Sequence, residues 1–313
     1  MRNRQKIFVI GDVMLDLYIR GDVSRISPEA PVLVVSETSR QMVLGGAGNV
    51  ANNIISLGGQ ATLVGVIGQD AEGQLINKLC RAAKIKTNLA IDAGRPTTTK
   101  TRALAHRHHL LRVDREKTDP LSPKIEASII SSVKKAADHD LVIISDYAKG
   151  LITKNIIIAL ENRFGKDKIL ANFKPANAHL FKNILALTHN LKEAEKITSI
   201  YADSDLLAEK TALALGRRFL SSVILTRGEK GMTIWKKGSK ECRHIPAITT
   251  KLVDVTGAGD TVIAVLALML AGGSDLLNSA RLANHAAGLV VGMEGTAVVS
   301  LDYLKKALSN ESR

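Results

Sequence analysis

Short apolar runs rich in β-branched residues alternate with segments of helical periodicity along most of this chain. The first two runs, at 6–11 and 61–68, enclose a glycine-led segment in which Val50, Ile54 and Leu57 fall on one face of a helix. Strands and helices that alternate in this way build a parallel sheet covered by helices. The sequence therefore predicts an α/β fold.

The alternation continues to the C-terminal end of the chain. Further strands are predicted at 140–146, 168–173, 184–190 and 221–228, and helices at 73–83, about 153–163, 203–219, 261–271, 276–291 and 301–308. Because helices separate the strands, we expect one mostly parallel sheet and a helical C-terminal segment.

Two stretches, 31–44 and 97–114, break this alternation because they lack helical periodicity and are rich in β-branched residues. We expect them to be strands of a small second sheet that acts as a lid. The predicted organisation is a single domain of residues 1–313, with a β lid formed by about 12–44 and 88–115.

Composition limits the classes of partner. The 313 residues include 43 Lys and Arg against 30 Asp and Glu, and the formal net charge of +13 favours anionic partners such as nucleic acid or phosphorylated small molecules. Because the basic residues are scattered and only 3% of residues are aromatic, the sequence disfavours nucleic-acid binding.

The cysteines and the apolar runs indicate the compartment. Cys80 and Cys242 lie far apart and outside any C-x-x-C pattern, so neither a disulfide framework nor a structural zinc site is expected. The N-terminal apolar run is too short for a signal peptide, and the longest one, 262–271, is too short to cross a bilayer. We expect a cytoplasmic protein with no membrane partner.

The most informative motif is Asp254-Val-Thr-Gly-Ala-Gly-Asp260, which leads directly into an apolar helix. Gly257, Ala258 and Gly259 leave the backbone open at the helix start, where unpaired N–H groups and the helix dipole can hold a phosphate. Asp260 beside that anion could accept the proton of an attacking hydroxyl group. The alternative is a glycine-rich turn followed by an ordinary acidic residue.

A second glycine cluster, Gly45-Gly46-Ala47-Gly48-Asn49, lets a ligand approach the backbone and offers the amide of Asn49. It is not a Walker A loop and does not follow a strand in the Rossmann manner, so NAD binding is disfavoured. Asp12 and Asp16 come just after the first strand, where ligands of open parallel sheets bind, and their carboxylates could accept sugar hydroxyls. The alternative for the glycine cluster is an ordinary helix start, and the alternative for Asp12 and Asp16 is that they are turn and cap residues.

Segments 45–53 (GGAGNVANN) and 254–265 (DVTGAGDTVIAV) together resemble the two signatures of the PfkB/ribokinase family of carbohydrate kinases. Further matching segments are 11–18, 24–32, 97–105, 145–150 and 226–232. They resemble the branch that phosphorylates D-glycero-β-D-manno-heptose 7-phosphate at the anomeric oxygen, on the route to ADP-heptose and lipopolysaccharide. The resemblance implies a ribokinase-like three-layer fold with a mostly parallel central sheet and a small β lid.

The resemblance also implies roles for individual residues. Asp260 is the implied catalytic base, with an anion hole formed by Gly257, Ala258 and Gly259. The implied ATP-binding residues are Asn190, Leu191, Lys192, Glu193, Thr226, Arg227, Gly228 and Asn284. Glu193 is implied to act on Mg²⁺ through water. The implied sugar-binding residues are Asp12, Asp16, Gly45, Gly46 and Asn49.

Lys100 and Arg102 stand two residues apart on a predicted lid strand, so both side chains project from one face. Two cations on one face suit the 7-phosphate of the sugar substrate, and the alternative is a solvated edge strand. Because exposed strand edges seek partners, we also expect a homodimer that pairs through the lids.

The resemblance departs at Asn172-Phe173-Lys174, where relatives usually carry Asp-Pro-Lys, and at His189, where they carry Pro. These changes affect the nucleotide side of the site. A kinase for another sugar or sugar phosphate, such as a fructose or tagatose phosphate, therefore remains an alternative, as does a non-catalytic binding protein. The 313 residues contain no His-x-Gly-His motif of the nucleotidyltransferase domain that is often fused to such kinases, so we expect the kinase alone.

Overall fold

The computed structural model of the protein describes residues 4–105, 108–248, 253–293 and 295–311. Its strands are β1 (Lys6–Gly11), β2 (Val13–Ile26), β3 (Leu33–Gly46), β4 (Gln60–Gly68), β5 (Lys86–Asp92), β6 (Thr98–Ala105), β7 (His108–Arg115), β8 (Leu141–Ser145), β9 (Ile169–Asn172), β10 (Ala186–Asn190), β11 (Ser222–Thr226), β12 (Met232–Trp235) and β13 (Cys242–Ile245). Its α-helices are α1 (Ala47–Ser56), α2 (Ala71–Ala82), α3 (Pro123–Lys134), α4 (Lys154–Phe164), α5 (Leu191–Thr198), α6 (Asp205–Phe219), α7 (Ala258–Ala271), α8 (Leu276–Val291) and α9 (Leu301–Glu311). No helix within these ranges combines the length and the apolar character that crossing a membrane requires.

The larger of two sheets runs through the middle of the protein. In the described ranges it has nine strands in the order β13-β12-β11-β10-β9-β8-β1-β4-β5. Neighbouring strands from β11 to β5 pair in parallel, whereas β12 and β13 extend the sheet in antiparallel fashion. The predicted mostly parallel sheet is confirmed. The alternation of strands and helices in the sequence is explained by the crossovers that parallel neighbours need between them.

Helices cover both faces of this sheet. On β1, Ile7 and Val9 belong to one hydrophobic cluster, and Phe8 and Ile10 belong to the other. The first cluster contains side chains of α1, α7 and α8, and the second contains side chains of α3, α4 and α6. A strand buried on both faces has to be apolar throughout, which explains the uninterrupted apolar run of β1. The three-layer architecture is therefore as expected.

The second sheet is the predicted lid, with its four described strands in the order β3-β2-β6-β7. One boundary of the prediction is wrong, because residues 88–92 belong to β5 at the edge of the main sheet, in parallel pairing with β4. The segment from β4 through α2 to β5 is long enough for a helical crossover between parallel strands, so it extends the main sheet rather than the lid. Residues 106–107 of the predicted lid lie outside the described ranges.

The carboxyl ends of the central strands meet at one edge of the main sheet. The register pairs Gly11 with Ser145, Ser145 with Asn172, and Asn190 with Thr226. Open parallel sheets bind their ligands at this edge, because the loops that follow the strands converge there.

Candidate active site

Asp260 lies in the first turn of α7, which begins at Ala258, and only 7% of its surface is exposed. Both carboxylate oxygens accept a hydrogen bond: Oδ2 from Asn49 Nδ2 at 2.9 Å, and Oδ1 from the Tyr147 hydroxyl at 2.8 Å. Burial raises the pKa of Asp260 to about 6, although these two hydrogen bonds lower it. At neutral pH the carboxylate is therefore ionised and still basic enough to take up a proton.

A buried polar network fixes the Asn49 amide. Asn53 Nδ2 donates to the backbone oxygen of Asn49 at 3.0 Å and to its Oδ1 at 3.3 Å, while the Thr261 hydroxyl donates to Asn53 Oδ1 at 3.0 Å. Asn49, Asn53 and Thr261 are fully buried. Because Asn49 Oδ1 faces the donor on Asn53, the amide nitrogen of Asn49 has to face Asp260.

The predicted anion-binding turn is the start of α7. Gly257 caps the helix with a φ of 83°, a left-handed conformation that favours glycine, and a Cβ there would lie 3.0 Å from Asn49 Nδ2. In contrast, a Cβ on Gly259 would meet no heavy atom of the described residues within 4 Å. Open space at Gly259 beside a helix N-terminus is suited to an anionic group.

Asp12 holds the loop that follows β8. Its Oδ2 accepts from the backbone N–H groups of Tyr147 at 2.7 Å and Lys149 at 3.1 Å, and its side chain is almost fully buried. Burial, with the nearby Asp146 carboxylate, raises the pKa of Asp12 to about 6. The Asp12 carboxylate therefore connects the first strand to the loop that carries Tyr147.

The glycine cluster at the end of β3 packs directly on the two aspartates of the predicted sugar set, on the side chain of Asp16 and the backbone of Asp12. A Cβ on Gly45 would lie 2.4 Å from Asp16 Oδ2, and one on Gly46, whose φ is 54°, would lie 2.4 Å from the backbone oxygen of Asp12. Asn49 follows in the first turn of α1. The structure therefore brings together all five residues of the predicted sugar set, and close packing explains the need for glycine.

The lid cations Lys100 and Arg102 lie on the same side of β6, as strand alternation predicts. Arg102 Nη1 donates to Asp16 Oδ1 at 2.6 Å and the guanidinium carbon lies 5.1 Å from the centre of the Tyr18 ring, so Arg102 is buried against β2. Lys100 Nζ lies 3.0 Å from Asp114 Oδ2 on β7. Each cation therefore has a carboxylate partner on a neighbouring lid strand, Arg102 on β2 and Lys100 on β7.

The nucleotide side of the predicted site is organised around Glu193. It forms a capping box with Asn190, in which each side chain accepts from the backbone N–H of the other residue. Lys174 Nζ donates to Glu193 Oε1. Burial favours the neutral acid, but the nearby His189 ring, whose Nδ1 lies 3.6 Å from Glu193 Oε2, and the Lys174 ammonium group lower the pKa of Glu193 to about 2. Glu193 is therefore ionised throughout the neutral range.

The remaining residues of the predicted ATP set lie on three elements. Leu191 and Lys192 form the first turn of α5, next to Glu193. Thr226 ends β11. Two residues later Gly228 has a φ of 60°, and a Cβ on it would meet no heavy atom of the described residues within 4 Å. Asn284 on α8 is buried and donates its amide to a backbone carbonyl.

The Arg227 side chain is engaged inside the fold. Its Nη1 donates to Thr233 Oγ1 at 3.0 Å and contacts His244 Nδ1 at 3.1 Å, and its Nη2 donates to Asp205. Only 5% of Arg227 is exposed. These contacts join β12 and β13 to the start of α6, so the guanidinium group has a structural role that the sequence pattern does not indicate.

The carboxylates at this edge already have hydrogen-bond partners, so they are suited to a metal ion that is held mainly by the phosphates of a nucleotide. Both oxygens of Glu193 are already engaged, as are both oxygens of Asp146, which accept from Asn177 Nδ2 at 2.9 and 3.0 Å. Across the described ranges, no group of three or more His, Cys, Asp or Glu residues could hold a metal ion. Contact of Glu193 with Mg²⁺ through water is compatible with this arrangement, because Mg²⁺ usually keeps several waters and binds substrate phosphates.

The residues that depart from the family pattern pack against one another. Phe173 and His189 form an edge-to-face pair with ring centres 4.5 Å apart, and Phe173 also stacks on Phe181 at 4.1 Å. Asn172 Nδ2 donates to the backbone oxygen of Thr188 at 2.7 Å. The three changes thus form one packed unit beneath Lys174, and they leave its ion pair with Glu193 in place.

Two residues of the site have no role assigned from the sequence. Tyr147 contacts Asp260, and Asn53 orients Asn49. Tyr147 comes two residues after the buried strand β8, so the rule that singles out Asp12 after β1 also applies to it. Asn53 falls four residues after Asn49 on a predicted helix, which places both on one face.

A buried carboxylate that can accept a proton lies in the first turn of a helix whose start can hold an anion, and it is bonded to Asn49, which follows the last residue of a strand of the small sheet. With the three-layer main domain, this arrangement places the protein among the sugar kinases of ribokinase-like fold. More specifically, the chain belongs to the pfkB family of carbohydrate kinases, whose family profile matches residues 4–302.

Individual relatives agree with this assignment. A protein from Azorhizobium caulinodans named bifunctional protein HldE is 40% identical over 307 residues, which cover 96% of this chain and 64% of the relative. This chain therefore spans slightly less than two thirds of the length of that relative. Phosphofructokinase-2 from Escherichia coli in complex with potassium has a TM-score of 0.80 at 19% identity and covers 99% of both chains. Arabidopsis thaliana ribokinase, complexed with ribose and ATP, has a TM-score of 0.74 at 20% identity, over 97% of this chain and 99% of the ribokinase.

Proposed function

We propose that this protein transfers the γ-phosphoryl group of ATP to the anomeric O1 of D-glycero-β-D-manno-heptose 7-phosphate. The products are the 1,7-bisphosphate and ADP, and the reaction belongs to the cytoplasmic route to ADP-heptose and lipopolysaccharide. The proposal is supported by sequence motifs along nearly the whole chain and by the similarity to proteins named HldE.

The observation that carries the reaction type is the position of Asp260 in the first turn of α7, held by Asn49 and Tyr147. Its carboxylate takes the proton from the sugar O1 as that oxygen forms a bond to the γ-phosphorus. The bond from phosphorus to the β,γ-bridging oxygen breaks, and its electron pair leaves with ADP. The N–H groups at Gly257, Ala258 and Gly259 stabilise the charge on the moving phosphoryl group.

A phosphorylated sugar is favoured by the inward face of the lid. Lys100 and Arg102 lie beside each other on β6, and Arg112 is the register partner of Arg102 on β7. Lys100 and Arg102 are largely buried and paired with Asp114 and Asp16, so a substrate phosphate would compete for two cations that are already desolvated, whereas Arg112 is exposed. Such a site discriminates between phosphorylated and unphosphorylated sugars, because Arg and Lys bind phosphate strongly in partly buried positions.

ATP is proposed to bind along the carboxyl ends of β10 and β11, between Glu193 and Gly228, with Asn284 beside the adenine ring. Mg²⁺ bound with the ATP phosphates supplies charge neutralisation on the transferring group. Glu193 contributes a carboxylate that is ionised at neutral pH and able to order water around that ion.

The test is ADP release with Mg-ATP across a panel of heptose 7-phosphate, fructose 6-phosphate, fructose 1-phosphate, tagatose 6-phosphate and ribose. Asp260→Asn is the control for the base. Turnover on the heptose phosphate alone, abolished in the variant, supports the proposal. Turnover on another sugar keeps the kinase and replaces the substrate. Binding of ATP without turnover on any sugar favours a regulatory protein and directs attention to Asn172 and Phe173.

The lid is also proposed to join two copies of the chain. Its outward face carries two mostly apolar rows across the sheet, Met42, Leu17, Thr101 and Val113, and next to it Arg40, Ile19, Ala103 and Leu111. Met42, Val113 and Leu111 are 39%, 54% and 61% exposed. An apolar band on the face opposite the active site is suited to a second copy of the same sheet, because two identical bands are complementary in a two-fold arrangement.

A further inference from the structure

Tyr147 lies between the Asp260 carboxylate and the nucleotide side of the site, where Lys174 pairs with Glu193. Its hydroxyl donates to Asp260 Oδ1 at 2.8 Å, and its backbone N–H donates to Asp12 Oδ2 at 2.7 Å. On the other side, Lys174 Nζ lies 4.8 Å from the centre of the Tyr147 ring and donates to Glu193. One side chain thus contacts the base and the cation that pairs with the nucleotide-side carboxylate.

We infer that Tyr147 is a positioning residue that keeps Asp260 oriented and ionised as a base and connects it, through Lys174, to the nucleotide side. The inference rests on the proposed role of Asp260. It assigns two separable tasks to one side chain, because the hydroxyl group serves the base and the ring serves Lys174.

The direction of the hydrogen bond follows from burial. Burial and the Asp260 carboxylate raise the pKa of Tyr147 well above its usual value, so the phenol keeps its proton and acts as the donor. A donor on Oδ1, together with Asn49 on Oδ2, fixes the plane of the Asp260 carboxylate. Each oxygen retains a second acceptor site, so a sugar hydroxyl can still donate to the carboxylate.

The charged groups around Asp260 act in opposite directions. Asp16, on β2, raises the pKa of Asp260, whereas Lys174, after β9, lowers it. Asp16 is itself paired with Arg102. The hydrogen bonds from Tyr147 and Asn49 are the direct contacts that favour the ionised form, since a hydrogen bond to a charged group is stronger than one to a neutral group.

The ring has a role of its own. Lys174 packs on an aromatic face while its ammonium group reaches Glu193, an arrangement that fixes the long lysine side chain. Removing the ring should therefore loosen Lys174 and disturb Glu193, but removing the hydroxyl group alone should not. Tyr147→Phe and Tyr147→Leu separate the two tasks.

The experiment follows the Asp260 carboxyl carbon by NMR in substrate-free protein labelled with ¹³C at aspartate side chains, with the signal assigned from its loss in Asp260→Asn. In Tyr147→Phe we expect the titration midpoint of Asp260 to rise by about one pH unit. The acid limb of kcat with heptose 7-phosphate should rise equally, which lowers turnover about tenfold on that limb. Tyr201→Phe, at a tyrosine that is 72% exposed, is the matched control and should change neither.

The ring is tested by the KM for ATP, which should stay unchanged in Tyr147→Phe and rise severalfold in Tyr147→Leu. An unshifted Asp260 titration in folded Tyr147→Phe overturns the inference, whatever the substrate proves to be. If Asp260→Asn keeps full turnover, the proposed role of Asp260 fails instead, and the titration still reports whether Tyr147 sets the ionisation of that carboxyl. If the leucine variant does not fold, the phenylalanine variant still decides the role of the hydroxyl group, and Tyr147→Met, which also lacks the ring, takes its place in the KM test of the ring.

Discussion

Asn49 and Asp260 are separated by 211 residues in the chain and joined by a hydrogen bond of 2.9 Å between the Asn49 amide and Asp260 Oδ2. The bond connects the start of α1 to the start of α7. It explains why two glycine-rich segments at opposite ends of the chain serve one site, since each places a helix N-terminus against the other. The orientation of the Asp260 carboxylate therefore depends on both helices.

The first prediction concerns the network behind Asn49. Asn53→Leu removes the donor that orients the Asn49 amide and should lower kcat about tenfold, the equivalent of one hydrogen bond to a charged group. Thr261→Val leaves the Asn53 donor in place and removes the hydroxyl contacts to Asn53 Oδ1 and to the Gly257 carbonyl, so it should have a smaller effect. Steady-state kinetics at saturating substrates measures this order. Equal losses in both variants, or a loss confined to KM, would contradict the role assigned to Asn53.

The second prediction concerns stability and pH. The pKa of Asp260 rises from 3.8 to about 6 on folding, so its burial destabilises the folded protein as the pH increases through that range. Asp260→Asn removes this effect and should stabilise the protein at pH 7.5 by at most about 3 kcal/mol, but not at pH 4. Thermal unfolding at the two pH values measures the difference. The exposed Asp203→Asn variant controls for net charge, and a gain of equal size at both pH values would mean that ionisation of the buried carboxyl is not its cause.

The third prediction compares two neighbouring glycines. Gly257→Ala places a side chain in a left-handed conformation close to Asn49 and should cost about 1–2 kcal/mol of stability as well as turnover. Gly259→Ala has no contact within 4 Å in the part of the chain that the structure describes, so it should leave the melting temperature unchanged or slightly higher. Its methyl group would nevertheless occupy the space proposed for the phosphoryl group. Turnover should therefore fall in both variants and stability in one, and an active Gly259→Ala enzyme would place the phosphate elsewhere.

The sequence is sufficient to predict the main sheet because its strands are buried on both faces. Such strands are apolar throughout, as in β1 and β8, and the helices between them have one apolar face. The four-residue strands β12 and β13 and the eight-residue helix α5 are too short for a periodic signal. The prediction places residues 88–92 in the wrong sheet because local β character does not specify which sheet a strand joins.

For the active site, the limit of prediction is set by pairing between distant segments. Asp260 and the glycines are recognisable because the chemistry of a phosphate-binding helix start restricts residue type locally. The side-chain partners of Arg227 lie on α6, β12 and β13, and local sequence does not bring these elements together. The contact of Tyr147 with Asp260 is similarly non-local, which is why the motif that contains Tyr147 does not specify its role.

The fourth prediction distinguishes folding from nucleotide binding at Arg227. Arg227→Met keeps the apolar stem and removes the donors to Thr233 and His244, and each lost buried hydrogen bond costs about 1 kcal/mol. We expect a lower melting temperature and, at a temperature where the variant is folded, an unchanged KM for ATP. Thermal unfolding and initial rates measure the two effects. A large rise in KM with unchanged stability would assign the guanidinium group to the nucleotide instead.

The last prediction concerns the outward face of the lid. Leu111 and Val113 are both more than half exposed, and they stand in adjacent rows of the apolar band on the face opposite Asp16 and Arg102. Replacing both with Glu places two charges on each copy against the same band of the other, so a lid dimer should dissociate. Light scattering should give a dimer mass for the wild-type protein and a monomer mass for the double variant. Val32→Glu is the matched control, because Val32 is 56% exposed at the tip between β2 and β3 and lies outside the band, and this variant should remain dimeric. A wild-type monomer, or a dimer unaffected by both substitutions, would exclude the outward lid face as the interface.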